Sequence, residues 1–267
     1  EAHGVQNKSV NNTVELYGTI VTGVKGSPTK GKKAYGITNE DGSDVLIGST
    51  AGNNGTIITY GNGSYGIKNE CRTAGCKYTI NIENGAGIQT SGSDAHGVYI
   101  EHNGAETTVA GNISTSGERS YGVYNKGNGN TTVVEEDGTI NIGNSGGNDA
   151  VGVYNNGDKN TTTVSGEIRT GEEDEINQEI NVKSYGVYNN GDANLTTVSS
   201  NGQIITWGGS AHAILNEGTN NIATVFGGIT TYGLNSAGIW NEPGSSEKTT
   251  IALGGKITTT GKNSSGI

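Results

Sequence analysis

The hexapeptide SYGVYN occupies Ser120 to Asn125 and returns letter for letter at Ser184 to Asn189, with near copies in KAYGITN, AHGVYI, AVGVYN and SAGIWN. Aligned on its central glycine, the phrase falls at Gly4, Gly36, Gly66, Gly97, Gly122, Gly152, Gly186, Gly238 and Gly266, with Ala213 filling one slot. Successive copies lie 25 to 34 residues apart. The next residue is always Val or Ile: Val5, Ile37, Ile67, Val98, Val123, Val153, Val187, Ile214, Ile239 and Ile267. A β-branched apolar side chain at one fixed place in a repeat of this length is the mark of a stacked array.

Each interval holds a second phrase, Gly-x-Ile-x-Thr, with its isoleucine at Ile20, Ile57, Ile88, Ile113, Ile140, Ile168, Ile204, Ile229 and Ile257. Thr follows two residues later in all but one copy, where Ile142 stands instead, while the residue between varies from Val21 to Gln89 to Arg169. Fixed and free positions in alternation predict a strand with one buried face. A third segment pairs Thr with Val or Ile, at Thr108-Val109, Thr132-Val133, Thr163-Val164, Thr197-Val198, Thr224-Val225 and Thr250-Ile251. Three short strands per coil are therefore expected, bounded by Gly, Asn, Asp and Ser, with no helical stripe between them.

The apolar fraction is only 30%, and 47 of 267 residues are Gly. One coil offers about three aliphatic side chains, each contributing roughly 1.5–3 kcal/mol when buried. Ordering its residues costs about 1–2 kcal/mol apiece in backbone entropy. A single coil cannot fold alone, but stacked coils pair every strand and line like side chains into columns. The expected fold is an all-β, right-handed parallel β-helix of about nine coils, a single segment over residues 1–267 and a rod on the order of 43 Å long at about 4.8 Å per coil. Asn at Asn7, Asn39, Asn69, Asn125, Asn155, Asn189, Asn216 and Asn241 closes the first phrase, and Ile100 departs from that pattern. Asn accepts the left-handed conformation of a corner, and stacked amides can bond one another.

The net charge of −10 disfavours nucleic acid as a partner. No apolar run approaches the roughly 20 residues that span a bilayer, so direct membrane insertion of this segment is not expected.

Coils carrying SYGVYN, NTTV and GTI or GEI phrases resemble, along the whole chain, the passenger domains of bacterial type V autotransporters, which fold as right-handed parallel β-helices. The resemblance implies export through the outer membrane, display or shedding at the bacterial cell surface, and adhesin- or haemagglutinin-like virulence behaviour. The implied partners are a host-cell surface glycan or protein, antibodies, and a C-terminal outer-membrane translocator barrel outside this chain. Because the sequence opens and closes inside the repeat, it is expected to be part of a longer passenger. Cys71 and Cys76, in CRTAGC, are expected to form a disulfide in that oxidising setting, ahead of free thiols or a metal site.

No catalytic centre, cofactor or metal site is expected. GNSGG at Gly143 to Gly147 echoes a serine-protease phrase, but turns are made of such residues. His3, His96 and His212 fill the slot held elsewhere by Tyr35, Tyr65, Tyr121 and Tyr185, which suggests packing, and His102 lies outside that slot. The acidic run Glu135-Glu136-Asp137 is expected as solvated turn charge. A polysaccharide-degrading β-helix is the enzyme alternative, and a Thr-rich ice-binding solenoid a third reading.

Two features could carry binding. The position two after the central glycine reads Tyr99, Tyr124, Tyr154, Tyr188, Leu215 and Trp240, an apolar stripe expected on an exposed face. After the Ile-x-Thr strand, one long connection is basic (Lys25, Lys30, Lys32, Lys33) and another acidic (Glu172, Glu173, Asp174, Glu175), and both are expected to leave the same edge.

Overall fold

The computed structural model describes residues 2–26, 33–49, 54–71, 76–143, 149–171, 183–242, 248–252 and 254–267. Among them there is no helix. The chain is an all-β parallel solenoid of three sheets with nine strands each. The first sheet runs from Ala2–Asn7 to Ile239–Asn241, the second from Thr13–Leu16 to Lys248–Ile251, and the third from Thr19–Thr22 to Lys256–Thr260. Within each coil the chain visits the three sheets in turn, and every strand pairs in parallel with its counterparts one coil away.

Register follows the apolar columns. Val98, Val123, Val153, Val187 and Ile214 stand opposite one another in the first sheet, each fully buried. Ile113, Ile140, Ile168 and Ile204 do the same in the third. In the second sheet one coil is shifted by a residue from the sequence reading. Val134 stands opposite Val109 and Val164, so Val133 falls opposite Thr108 and Thr163 on the outer face. Thr-Thr-Val-Val offers two valines, and only the frame that keeps Val134 in the core column buries one without turning every side chain over.

Inside the corner between the first and second sheets the asparagines form a hydrogen-bonded ladder. Asn155 Nδ2 donates to Asn189 Oδ1 at 2.8 Å and to Thr162 Oγ1 at 3.0 Å, and its own Oδ1 accepts from Asn125 at 2.8 Å. The same bonds continue through Asn189 and Asn216 to Asn241. The ladder therefore ties coil to coil and, through the threonines, one sheet to the next. Ile100, opposite Asn69 and Asn125, interrupts it. Asn69 Nδ2, Thr107 Oγ1 and Asn125 Oδ1 are buried there without partners.

The glycine of the repeated phrase faces inward. A Cβ on Gly122 would lie 2.4 Å from Ile140 Cγ2 and 2.6 Å from the Gly152 carbonyl. Gly122 and the buried Val123 thus occupy the interior side in succession, which breaks simple alternation. Tyr121 and Tyr124 consequently share the outer side, their rings 5.4 Å apart.

Cys71 and Cys76 are joined by a disulfide with their Cα atoms 6.4 Å apart, and Cys71 packs in the core.

Candidate interaction surface

Doubling of the outward positions produces a belt of rings along the outer face of the first sheet. One column is His3, Tyr35, Tyr65, His96, Tyr121, Val151, Tyr185 and His212, and the other runs from Tyr99 through Tyr124, Tyr154, Tyr188 and Leu215 to Trp240. The columns interlock. Tyr65 stacks on both His96 at 5.0 Å and Tyr99 at 4.9 Å, Tyr121 meets Tyr154 edge-on at 5.1 Å, and Tyr154 stacks on Tyr188 at 4.7 Å. Val151, Tyr185 and Leu215, with Tyr121, Tyr154 and Tyr188 against them, form an apolar cluster separate from the solenoid core. Lys68 lies over the Tyr35 ring, 5.1 Å from its centroid.

This corrects the expectation of an exposed stripe. Tyr99 and Leu215 are buried at 9% and 4% exposure, Tyr124, Tyr154 and Tyr188 are half-buried, and Trp240 alone is open at 39%. Strict alternation would leave one column standing in solvent. The paired inward residues at each glycine bring a second column alongside, and each covers the other.

A polar rim borders the belt. Tyr188 donates to Glu217, and Asn190 Nδ2 donates to Tyr154 Oη at 3.0 Å and to Asn156 Oδ1 at 3.0 Å. Asn156 Nδ2 donates to Tyr124 Oη at 3.1 Å, Trp240 Nε1 to Glu242 at 3.3 Å, and Lys126 Nζ to Glu101 at 3.0 Å. Burial, followed by the hydrogen bond to Glu217, raises the Tyr188 phenol well above its ordinary range. Burial does the same to Tyr121 and Tyr185, so all three stay neutral donors.

The histidines do something a tyrosine cannot. His96 Nδ1 accepts the Tyr121 backbone N–H at 3.2 Å, and His212 Nδ1 accepts that of Ala237 at 2.9 Å. Each bond requires an unprotonated Nδ1. Burial pushes the His96 pKa down to about 3, opposed by nearby Asp94. Burial, reinforced by Lys183, lowers His212 to about 4. The unfolded chain binds more protons than the folded one between these values and the ordinary 6.5, so their contribution to stability is complete above pH 6.5 and is lost as pH falls through that window. The double variant His96→Tyr/His212→Tyr is expected to flatten the decline in melting temperature between about pH 6.5 and 5. Parallel wild-type and variant melting curves over that range would refute the assignment.

Of the basic connection, Lys25 and Lys33 are exposed, whereas Lys30 and Lys32 lie outside the described residues, as do Glu172, Glu173, Asp174, Glu175 and the serine of GNSGG. The two long connections leave equivalent corners. Gly23 and Gly171, both at positive φ, close the third-sheet strand and press on the carbonyls of Tyr60 and Trp207 one coil on.

These features define a parallel β-solenoid with an aromatic belt outside one sheet. No protein-family model matches the chain, and no curated protein matches it. Among solved structures it is similar to a TibC-catalysed hyper-glycosylated TibA fragment, at 15% identity over 97% of this chain and 100% of that one, with a TM-score of 0.19. At that level the likeness adds nothing to what the strand pairing already shows.

Proposed function

We propose that the chain is a structural and interaction protein: a β-helical adhesin segment displayed on or shed from a bacterial surface, binding a host-cell surface protein and catalysing no reaction. Delivery through an outer-membrane translocator barrel, and recognition of the protruding connections by antibodies, belong to the same reading. The observation that supports it is the belt. Its ring faces are spent on one another, so the partner meets tyrosine edges, hydroxyls and the rim amides and carboxylates, with Trp240 as the open anchor. Amphipathic rings of this kind, already ordered, suit a protein contact at low entropic cost.

Truncating an exposed aromatic anchor at such a contact costs about 2 kcal/mol or more, roughly thirty-fold in affinity. Trp240→Ala combined with Tyr154→Phe is expected to weaken binding to host cells by at least that factor while the variant keeps the all-β circular dichroism spectrum of the fold. Undiminished binding by the folded variant would remove the belt from the reading. Release of new chain ends from a candidate polysaccharide, abolished by one carboxylate change, would favour the polysaccharide-degrading alternative.

A further inference from the structure

A recess of about 400 Å³ lies on the outer face of the third sheet, far around the coil from the belt, lined by Lys25, Tyr60, Gln89, Ser91, Ser114 and Ser116. Its shape follows from register. Tyr60, Ser91 and Ser116 succeed one another in one outward column, and Gln89 and Ser114 sit side by side in the adjacent one. A tall ring thus stands at one end of a floor made of small side chains. The wall is built by Lys25 and Gly26, at the start of the long basic connection. Gly23, at φ 82°, packs against the Tyr60 carbonyl so closely that any Cβ would overlap it, and this turns Lys25 and Gly26 over the recess.

The lining chemistry is specific. Three serine hydroxyls can each donate and accept, and the Gln89 amide does both, as a polyhydroxylated ligand requires. The Tyr60 ring offers an apolar face for C–H groups. Among the described lining residues Lys25 is the one charged side chain, and it makes no salt bridge to any described residue. The Lys25 ammonium can pair with a single carboxylate, and the net charge of −10 on the chain as a whole works against an extended polyanion such as a nucleic acid. The volume lies in the range of small-ligand sites.

We propose that this recess binds one carboxylated sugar residue, a sialic or uronic acid, with the carboxylate on Lys25, the ring against Tyr60 and the hydroxyls on Ser91, Ser114, Ser116 and Gln89. The site is independent of the aromatic belt, and the two stand or fall separately.

The test is titration of the 267-residue chain with N-acetylneuraminate, D-glucuronate, D-galactose and D-glucose, followed by amide NMR. Binding in the millimolar range is expected for at least one acid, with shifts at Gln89, Ser91, Ser114 and Ser116 and an affinity about ten-fold above the neutral sugars. Which acid binds identifies the source as sialylated or uronate-bearing glycans. Lys25→Gln should abolish the preference for the acid while leaving the spectrum of the fold intact, and Ser116→Leu should fill the floor and remove binding of all sugars. The proposal is overturned by an absence of shifts with either acid, by shifts confined to other coils, or by an acid preference that survives Lys25→Gln.

Discussion

Replacing Asn155 by Leu is expected to destabilise the solenoid by about 3–6 kcal/mol. The substitution keeps the branched heavy-atom shape and adds apolar surface, yet it removes a bond from each of three buried groups: one N–H of the Asn125 amide, the Thr162 hydroxyl and the Asn189 carbonyl oxygen. Each unsatisfied group costs about 1–3 kcal/mol, and the gain from burying leucine offsets only part of that sum. The chain already contains the same defect at Ile100, where Asn69, Thr107 and Asn125 are left with unpaired atoms. Ile100→Asn would supply an acceptor for Asn69 and donors for Thr107 and Asn125, extending the ladder from Asn125 back to Asn69. It is expected to stabilise by about 1–2 kcal/mol, against the usual cost of putting an amide into a core. Chemical denaturation of both variants decides the matter. A neutral Asn155→Leu together with a destabilising Ile100→Asn would show that the amides fill space and do not hold the coils.

Gly152→Val should be nearly as damaging, at about 3 kcal/mol or more. Its first added carbon would fall 2.3 Å from Ile168 Cγ2 and 2.5 Å from the Gly186 carbonyl, and neither can retreat without moving a paired strand. Overpacking of this kind costs about 1–3 kcal/mol for a methylene or two and more when backbone must shift. Ala213, fully buried in the equivalent slot, shows that one methyl can be accommodated, so Gly152→Ala should fall at the low end of that range. The same displacement would pull Tyr154 away from Tyr124 and Tyr188, and loss of their stacked-ring signature in near-ultraviolet circular dichroism would accompany the loss of stability. Equal stability of the Ala and Val variants would refute the close approach.

The coil length, the three strands and the inward columns were legible from the sequence because burial acts with strict periodicity. A residue that must face the core in every coil leaves a mark that no other pressure erases. The stacked Asn amides were legible for the same reason, and so was the packing role of His96 and His212, since a slot shared with tyrosine has one shape. None of these asparagines takes the left-handed corner conformation expected of them, their backbone staying extended with the strand. Register in the second sheet was less so. Thr131-Thr132-Val133-Val134 satisfies two frames, and only the neighbours at Val109 and Val164 choose between them.

The sequence by itself determined that the chain stacks, how often it turns and which aliphatic residues line the interior, because those facts depend on spacing along one strand. Tertiary structure alone decided that two outward columns interlock into a covered belt, that Ile100 leaves neighbouring polar atoms unpaired, and that Lys25, Tyr60 and Ser116 line one recess. Each joins residues on different coils or different columns, and their distance is set by the kink at the inward glycine and by the lateral register of the sheets. Neither quantity is written in the order of residues within any one repeat.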